Sequence, residues 1–160
     1  YYEPKIAYIE NEKENRPFIG VILNVNGKNF FAPLTSPKRK HLTMKNMQDF
    51  LKIDNGKLGG INLNNMIPIP SRYLEKIEIG EIEDRKYKYM LENQMRWIKA
   101  NTLRIQNRAR NLYYIISNGH ANKELQDRCC NFKRLEKICD NYMKENHVNE
   151  EEILYAYFSA

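Results

Sequence analysis

The chain lacks the features of membrane, secreted and disulfide-stabilised proteins. Its 160 residues contain no apolar run of the roughly 18 residues that a membrane-spanning helix needs. The start has no basic segment followed by an apolar one, the pattern of a secretory signal. The three cysteines are an odd number and two are adjacent, so we expect reduced thiols rather than a disulfide framework. We therefore expect a cytoplasmic protein with no membrane contact.

Signature motifs of several enzyme classes are also missing. The sequence has no glycine-rich loop ending in Lys-Ser or Lys-Thr, no Gly-x-Ser-x-Gly and no His-Glu-x-x-His. These absences disfavour nucleotide hydrolysis and serine-hydrolase chemistry. The histidines, His41, His120 and His147, do not combine with the cysteines at the regular spacing of a zinc site. We expect no metal and no other cofactor.

Positive charge, in contrast, is in excess. The chain has 26 Lys and Arg against 20 Asp and Glu, a net charge of +6, and the basic residues concentrate in 38–45 and 85–110. Such stripes suit a polyanion. A solvated helix face explains most of the second cluster but explains the first less well, because four basic residues are consecutive there. The candidate contacts to a phosphate-bearing partner are Arg39, Lys40, His41, Lys45, Arg85, Lys86 and Lys88.

The first half of the chain has the pattern of a β-sheet. Residues 18–25 and 29–34 are β-rich runs joined by Asn26-Gly27-Lys28, and Asn-Gly is the strongest short hairpin signal. Because Pro33 cannot donate to a ladder, we expect the second strand to end there and residues 34–41 to leave the sheet as a loop. The further predicted strands and extended segments are residues 50–53, 60–63 and 66–70.

From residue 84 onward the apolar residues recur with the period of a helix. The pattern predicts one long or two abutting helices that end at 117–119, then a further helix over 132–142. Tyr87, Tyr89 and Trp97 could stack on bases, but at helical spacing we expect them in the core. We predict one α+β domain: a small, curved antiparallel sheet or partly open barrel over about 1–80 and helices over about 82–158.

The segment 31–38, Phe-Ala-Pro-Leu-Thr-Ser-Pro-Lys, has residues that can act on a phosphodiester. Thr35, Ser36 and Lys38 offer two hydroxyls and an ammonium, and the flanking prolines restrict their backbone. Such donors stabilise the charge that builds on phosphoryl oxygens when a 2′-hydroxyl attacks. Arg16 would lie across the predicted hairpin as a second cation. From residue types alone, such a segment is more often an ordinary capped turn than an active site.

The run 16–23, Arg-Pro-Phe-Ile-Gly-Val-Ile-Leu, followed by Asn-Phe-Phe-Ala-Pro-Leu-Thr-Ser-Pro-Lys at 29–38, resembles the ToxN/AbiQ family of type III toxin–antitoxin endoribonucleases. Segments 60–69, 87–100 and 130–136 resemble further family segments in the same order. The resemblance implies a β-barrel core similar to the Kid/MazF toxins with appended helices. It also implies RNA cleavage without metal, leaving a cyclic phosphate and a 5′-hydroxyl. Thr35, Ser36 and Lys38 fall on the family's active-site string, and Arg16 falls where the family often has lysine.

The resemblance implies partners as well. Family members are bacterial toxins that are held inactive by a small repeated pseudoknot RNA, which they also process. Toxin and RNA form closed rings, often with three copies of each, and many such systems abort phage infection. Two alternatives stay open: a non-catalytic RNA-binding module with the same basic surface, and a barrel toxin inhibited by a small protein antitoxin. The residue that acts as general base is unassigned.

Overall fold

A computed structural model describes residues 19–145 and 155–158 of the chain. Arg16, the predicted second cation, therefore lies outside the described residues. No helix in the described part is long and apolar enough to cross a membrane.

The predicted hairpin is present. Strands β1 (Ile19–Val25) and β2 (Lys28–Thr35) pair antiparallel from Gly20 opposite Pro33 to Val25 opposite Lys28. Asn26 and Gly27 both have positive φ, 51° and 80°, which a two-residue turn matched to the twist of the strands requires. Alternate side chains of β1, including Val21, Leu23 and Val25, are buried in the core.

The prediction that the second strand ends at Pro33 was wrong. Strand β2 continues through Leu34 and Thr35, which pair with Ile61 and Gly60. On that edge of β2, Phe30 and Phe31 pair with another short strand, so Pro33 falls in a gap between two pairings. The missing N–H of a proline interrupts no pairing at such a gap, which allows the strand to pass through it.

The other strands extend the sheet on both sides of this hairpin. They are β3 (Phe50–Lys52), β4 (Gly60–Asn62), β5 (Ile67–Pro68), β6 (Leu74–Lys76) and β7 (Tyr155–Phe158). The strand order is β3-β4-β2-β1-β7-β6, with β5 against β2. Among the described strands, the pairings made by β7 are parallel and the others are antiparallel. The predicted strands at 50–53 and 60–63 are confirmed, each one residue shorter. The prediction of helix up to residue 158 was wrong, because β7 completes the sheet between β1 and β6.

Five α-helices accompany the sheet in the described residues. They are α1 (Arg39–Thr43), α2 (Arg85–Ala100), α3 (Thr102–Ser117), α4 (Lys123–Arg128) and α5 (Phe132–Glu145). The Asp84 side chain caps α2 by accepting the N–H groups of Lys86 and Tyr87. α2 and α3 are two abutting helices that meet at Asn101. α1 lies where the sequence predicted a loop, so that prediction was also wrong.

The core lies between the sheet and the helices. The rings of Phe30, Tyr113 and Phe132, from β2, α3 and α5, pack on one another with centroids 5.8–6.2 Å apart. Tyr87 and Trp97 pack against the core as predicted, but Tyr89 is 69% exposed and that prediction was wrong. Two positions along a helix turn a side chain by about 200°, so Tyr89 faces away from the side that carries Tyr87. The expected α+β architecture is confirmed, with an open sheet.

Candidate active site

The predicted site lies where β2 ends and α1 begins. Thr35 is the last residue of β2, Ser36 and Pro37 form the link, and Lys38 is the N-cap residue of α1. Thr35 is half-buried, and Ser36 and Lys38 are exposed. Within 19–145 and 155–158, neither the Ser36 hydroxyl nor the Lys38 ammonium has a hydrogen bond or ion pair to the protein. Both groups are available to a ligand.

The carbonyl of Thr35 is held by residues from two other parts of the chain. Gly59 approaches it so closely that a Cβ at this position would lie 1.9 Å from the Thr35 oxygen. The amide nitrogen of Gln94, on α2, donates to the Leu58 carbonyl at 2.7 Å and lies 3.5 Å from the Thr35 carbonyl. Gly59 therefore allows close packing against the backbone of Thr35.

Gln94 was missed by the sequence analysis. It is 1% exposed and lies on the buried stripe of α2 with Leu91 and Ile98. A polar residue on an otherwise apolar stripe is the signal that could have found it, because buried polar side chains need hydrogen-bond partners.

Lys38 is positioned through its backbone by His41. The Lys38 N–H donates to His41 Nδ1 at 3.3 Å, and the His41 N–H donates to the Lys38 carbonyl at 2.9 Å. The imidazole is 2% exposed and lies 5.1 Å from the ring of Phe50. Burial lowers the pKa of His41 below its usual 6.5, and three nearby lysine ammonium groups lower it further. His41 is thus a buried, neutral acceptor, and its predicted role as a surface contact to RNA is corrected.

The other predicted contacts to a polyanion lie on two elements beside the site. Arg39 and Lys40 are exposed on α1, and Lys45 is exposed just after it. Arg85 and Lys86 are exposed in the first turn of α2. In the part of the chain that is described, none of these five has an ion pair. Lys88 differs, because its ammonium donates to the Gly80 carbonyl at 2.7 Å.

A recess of about 140 Å³ separates the site from α2. Its lining residues are Ile19, Leu34, Thr35, Ser36, Tyr87, Met90, Leu91 and Gln94. The structure therefore brings Thr35 and Ser36 beside the first half of α2, the half that carries Arg85, Lys86 and Lys88. In chemical terms the site combines hydroxyl donors and an ammonium, which bind and stabilise negatively charged phosphoryl oxygens.

Comparison with known proteins identifies the family of the chain. A sequence model of the family described as "Toxin ToxN, type III toxin-antitoxin system" matches residues 2–140. An endoribonuclease ToxN from Pectobacterium atrosepticum is 32% identical over 158 residues, which cover 94% of this chain and 90% of that protein.

Two solved structures are similar in both fold and sequence. One, from work on a bacterial antiviral system regulated by a processed non-coding RNA, has a TM-score of 0.69 and 30% identity, covering 86% of each chain. The other, from work on selective toxin inhibition by a non-coding RNA pseudoknot in bacterial type III toxin–antitoxin systems, has a TM-score of 0.67 and 29% identity. It covers 88% of this chain and 87% of that chain. The chain thus belongs to the ToxN family of type III toxin–antitoxin system toxins.

Proposed function

We propose that this toxin is an endoribonuclease that cuts single-stranded RNA at residues 35–38 without a metal ion. The observation that supports the proposal best is a pair of donors, the Ser36 hydroxyl and the Lys38 ammonium, that bond to none of the described residues. Gly59, Gln94 and His41 contact the backbone that carries them. Donors fixed before the reaction, aimed at developing charge, are usually the largest catalytic contribution. The similarity to an endoribonuclease ToxN supports the same activity.

The proposed reaction is an internal transfer within the RNA. The 2′-oxygen loses its proton and bonds to the adjacent phosphorus, while the bond from phosphorus to the 5′-oxygen breaks and that oxygen gains a proton. The products are a 2′,3′-cyclic phosphate and a 5′-hydroxyl. Lys38 and Arg16 would neutralise the phosphoryl oxygens, Ser36 and Thr35 would donate hydrogen bonds to them, and the base is unassigned.

The proposed inhibitor is an RNA. A similar solved toxin is inhibited by a non-coding RNA pseudoknot, and the exposed cations Arg39, Lys40, Arg85 and Lys86 on α1 and α2 suit such a polyanion. We propose that a repeated pseudoknot RNA inhibits this toxin, is processed by it, and forms with it a closed ring of three toxins and three RNAs. The toxin and its RNA would act together against phage in the bacterial cytoplasm. The similar solved structure from a bacterial antiviral system, which is also regulated by an RNA, supports this role.

The Ser36→Ala and Lys38→Ala variants test the assignment. Each should lower the rate of RNA cleavage by about 10²–10³-fold, the usual loss on removing one such donor, because each donor acts on the transition state. The assay follows new 5′-hydroxyl ends in EDTA. The circular dichroism spectrum should match the parent, and both variants should still bind RNA. Lys57→Ala, a control at an exposed lysine elsewhere, should cut at the parental rate.

Other outcomes identify the alternatives. Parental cleavage by Ser36→Ala and Lys38→Ala would refute the site. RNA binding by the parent without new 5′-hydroxyl ends would indicate a non-catalytic RNA-binding module. A small protein, rather than RNA, that co-purifies from the host and restores growth would indicate a protein antitoxin.

A further inference from the structure

The recess between residues 35–36 and α2 is not used by the phosphate chemistry proposed above. Ser36 is exposed at its opening, with the half-buried Tyr87 and Met90, whereas Ile19, Leu91 and Gln94 are buried at its floor. Its volume of 140 Å³ is well below the roughly 300–1,000 Å³ of pockets for drug-sized ligands. A single ring or ring edge fits this space better than a whole nucleotide does.

The lining indicates the chemistry of the occupant. No lysine or arginine among the described residues lines the recess, so a phosphate would find no counter-ion there. Leu34, Met90 and Leu91 give the recess apolar walls, and the aromatic residue Tyr87 is also among its lining residues. Bases that are turned out of single-stranded RNA are bound in this way, by stacking on aromatic side chains and by hydrogen bonds to their edges.

Gln94 supplies the polar group of the floor. Its amide nitrogen is committed to the Leu58 and Thr35 carbonyls, which fixes the orientation of the amide. Its Oε1 is buried and has no hydrogen-bond partner among residues 19–145 and 155–158. An unsatisfied buried acceptor is rare and unfavourable. A donor from the ligand would satisfy it, and an exocyclic amino group of adenine, cytosine or guanine is such a donor. Uracil has no amino group, and its one ring N–H lies between two carbonyls.

We propose that this recess binds the nucleobase next to the scissile phosphodiester, and that Gln94 Oε1 accepts a hydrogen bond from the exocyclic amino group of that base. The proposal rests on the proposed RNA cleavage and adds a base preference to it. The phosphate meets Ser36 and Lys38 outside the recess while its neighbouring base enters it.

Abasic substrates test the subsite. In a short single-stranded RNA that the toxin cuts once, one of the two nucleotides flanking the cut is replaced by an abasic ribose. The parent should cut at least about tenfold more slowly when the base is missing at one flanking position and not at the other. Met90→Trp, which fills the recess, should erase this difference. Tyr89→Trp, which places the same side chain on the exposed face of the same helix, should keep it.

Base analogues test the role of Gln94 without altering the protein. Purine riboside in place of adenosine, or a 2-pyrimidinone riboside in place of cytidine, removes only the amino group. Uridine or either analogue at the sensitive position should lower kcat/KM by about five- to tenfold. Equal cleavage of intact and abasic RNA at both positions would overturn the subsite, and equal cleavage of amino and des-amino bases would overturn the role of Gln94. A parent that cuts no RNA at all would overturn the proposed function and the subsite with it.

Discussion

The backbone of Lys38, at the start of α1, is hydrogen-bonded to the buried side chain of His41. His41 Nδ1 accepts the Lys38 N–H, and the backbone of His41 in turn packs on the turn at Gly56, where a Cβ would lie 2.2 Å from the His41 oxygen. Nδ1 accepts a hydrogen bond only while it carries no proton. The protonation state of His41 therefore affects one of the two hydrogen bonds that join the backbone of Lys38 to His41.

The pKa of His41 predicts a loss of stability in acid. Its pKa is lowered in the folded chain, mainly by burial, from an ordinary 6.5. The unfolded chain therefore binds more protons between pH 6.5 and the lowered value, so the free energy of unfolding decreases as the pH falls through this window. Urea unfolding at about pH 8 and at about pH 5, on either side of the histidine titration, should show this decrease in the free energy of unfolding. The rate of RNA cleavage should decline over the same range.

A second histidine provides the control. His41→Gln cannot titrate, so its free energy of unfolding should vary less with pH over the same window, whatever its absolute stability. His120→Gln changes an exposed histidine and should leave the pH dependence of the parent intact. If the parent and His41→Gln have the same pH dependence, His41 is not neutral and buried in solution.

The end of β2 depends on other elements more than on its own residues. Thr35 pairs with Gly60 of β4, Gly59 leaves room for its carbonyl, and Gln94 reaches it from α2. Gly59 adopts φ +84°, a conformation that favours glycine, in addition to the close approach. A change at Gly59 should therefore move the backbone that carries the proposed active-site hydroxyls.

A pair of glycine substitutions separates the effect of the positive φ from the effect of the close approach to the Thr35 carbonyl. Gly27 has a similar φ of +80°, but a Cβ added there would have no heavy atom within 4 Å. Gly27→Ala should lower the free energy of unfolding by about 1–2 kcal/mol, the strain of a left-handed non-glycine residue, and leave kcat unchanged. Gly59→Ala should lose more stability, and its kcat per folded molecule should fall by about 10²-fold, the effect of a displacement of about 1 Å.

Thermal unfolding and single-turnover cleavage measure both quantities on the same samples. An unchanged kcat in folded Gly59→Ala would show that the position of the Thr35 carbonyl does not matter for cleavage.

Local signals predicted some of these elements, and distant contacts account for those they missed. Asn26-Gly27 specifies the β1–β2 hairpin through its own dihedral angles, and the apolar period specifies α2 and α3. β7 is four residues long and becomes a strand by pairing with β1, far away in the chain. For the site, the family resemblance predicted residues 35–38, and this assignment stays a prediction. The sequence did not predict the role of Gln94, because its hydrogen-bond partners, Thr35 and Leu58, are 59 and 36 residues away.

At the scale of the whole molecule, the net charge is +6, and exposed cations of two helices lie beside the site. α1 begins directly after its N-cap residue Lys38 and presents Arg39 and Lys40. The first half of α2 lines the recess beside Ser36 and presents Arg85 and Lys86. RNA whose phosphate is held at the site would pass over one or both of these basic segments. The resulting affinity should be electrostatic and should depend on salt.

The salt dependence of RNA binding measures how many phosphate contacts α1 makes. For single strands, the slope of log K against log salt changes by about 0.7 for each phosphate neutralised. Removing both cations with Arg39→Ala and Lys40→Ala should make the slope shallower by about 1.4, because each contact releases counterions. Binding is measured by anisotropy from about 50 to 200 mM salt in a Ser36→Ala background, which keeps the RNA intact. The paired change Lys123→Ala and Lys144→Ala removes the same charge from exposed positions on α4 and α5 and should leave the slope unchanged. An equal slope for both double variants would mean that α1 does not contact the RNA backbone, and the basic surface would then be confined to α2.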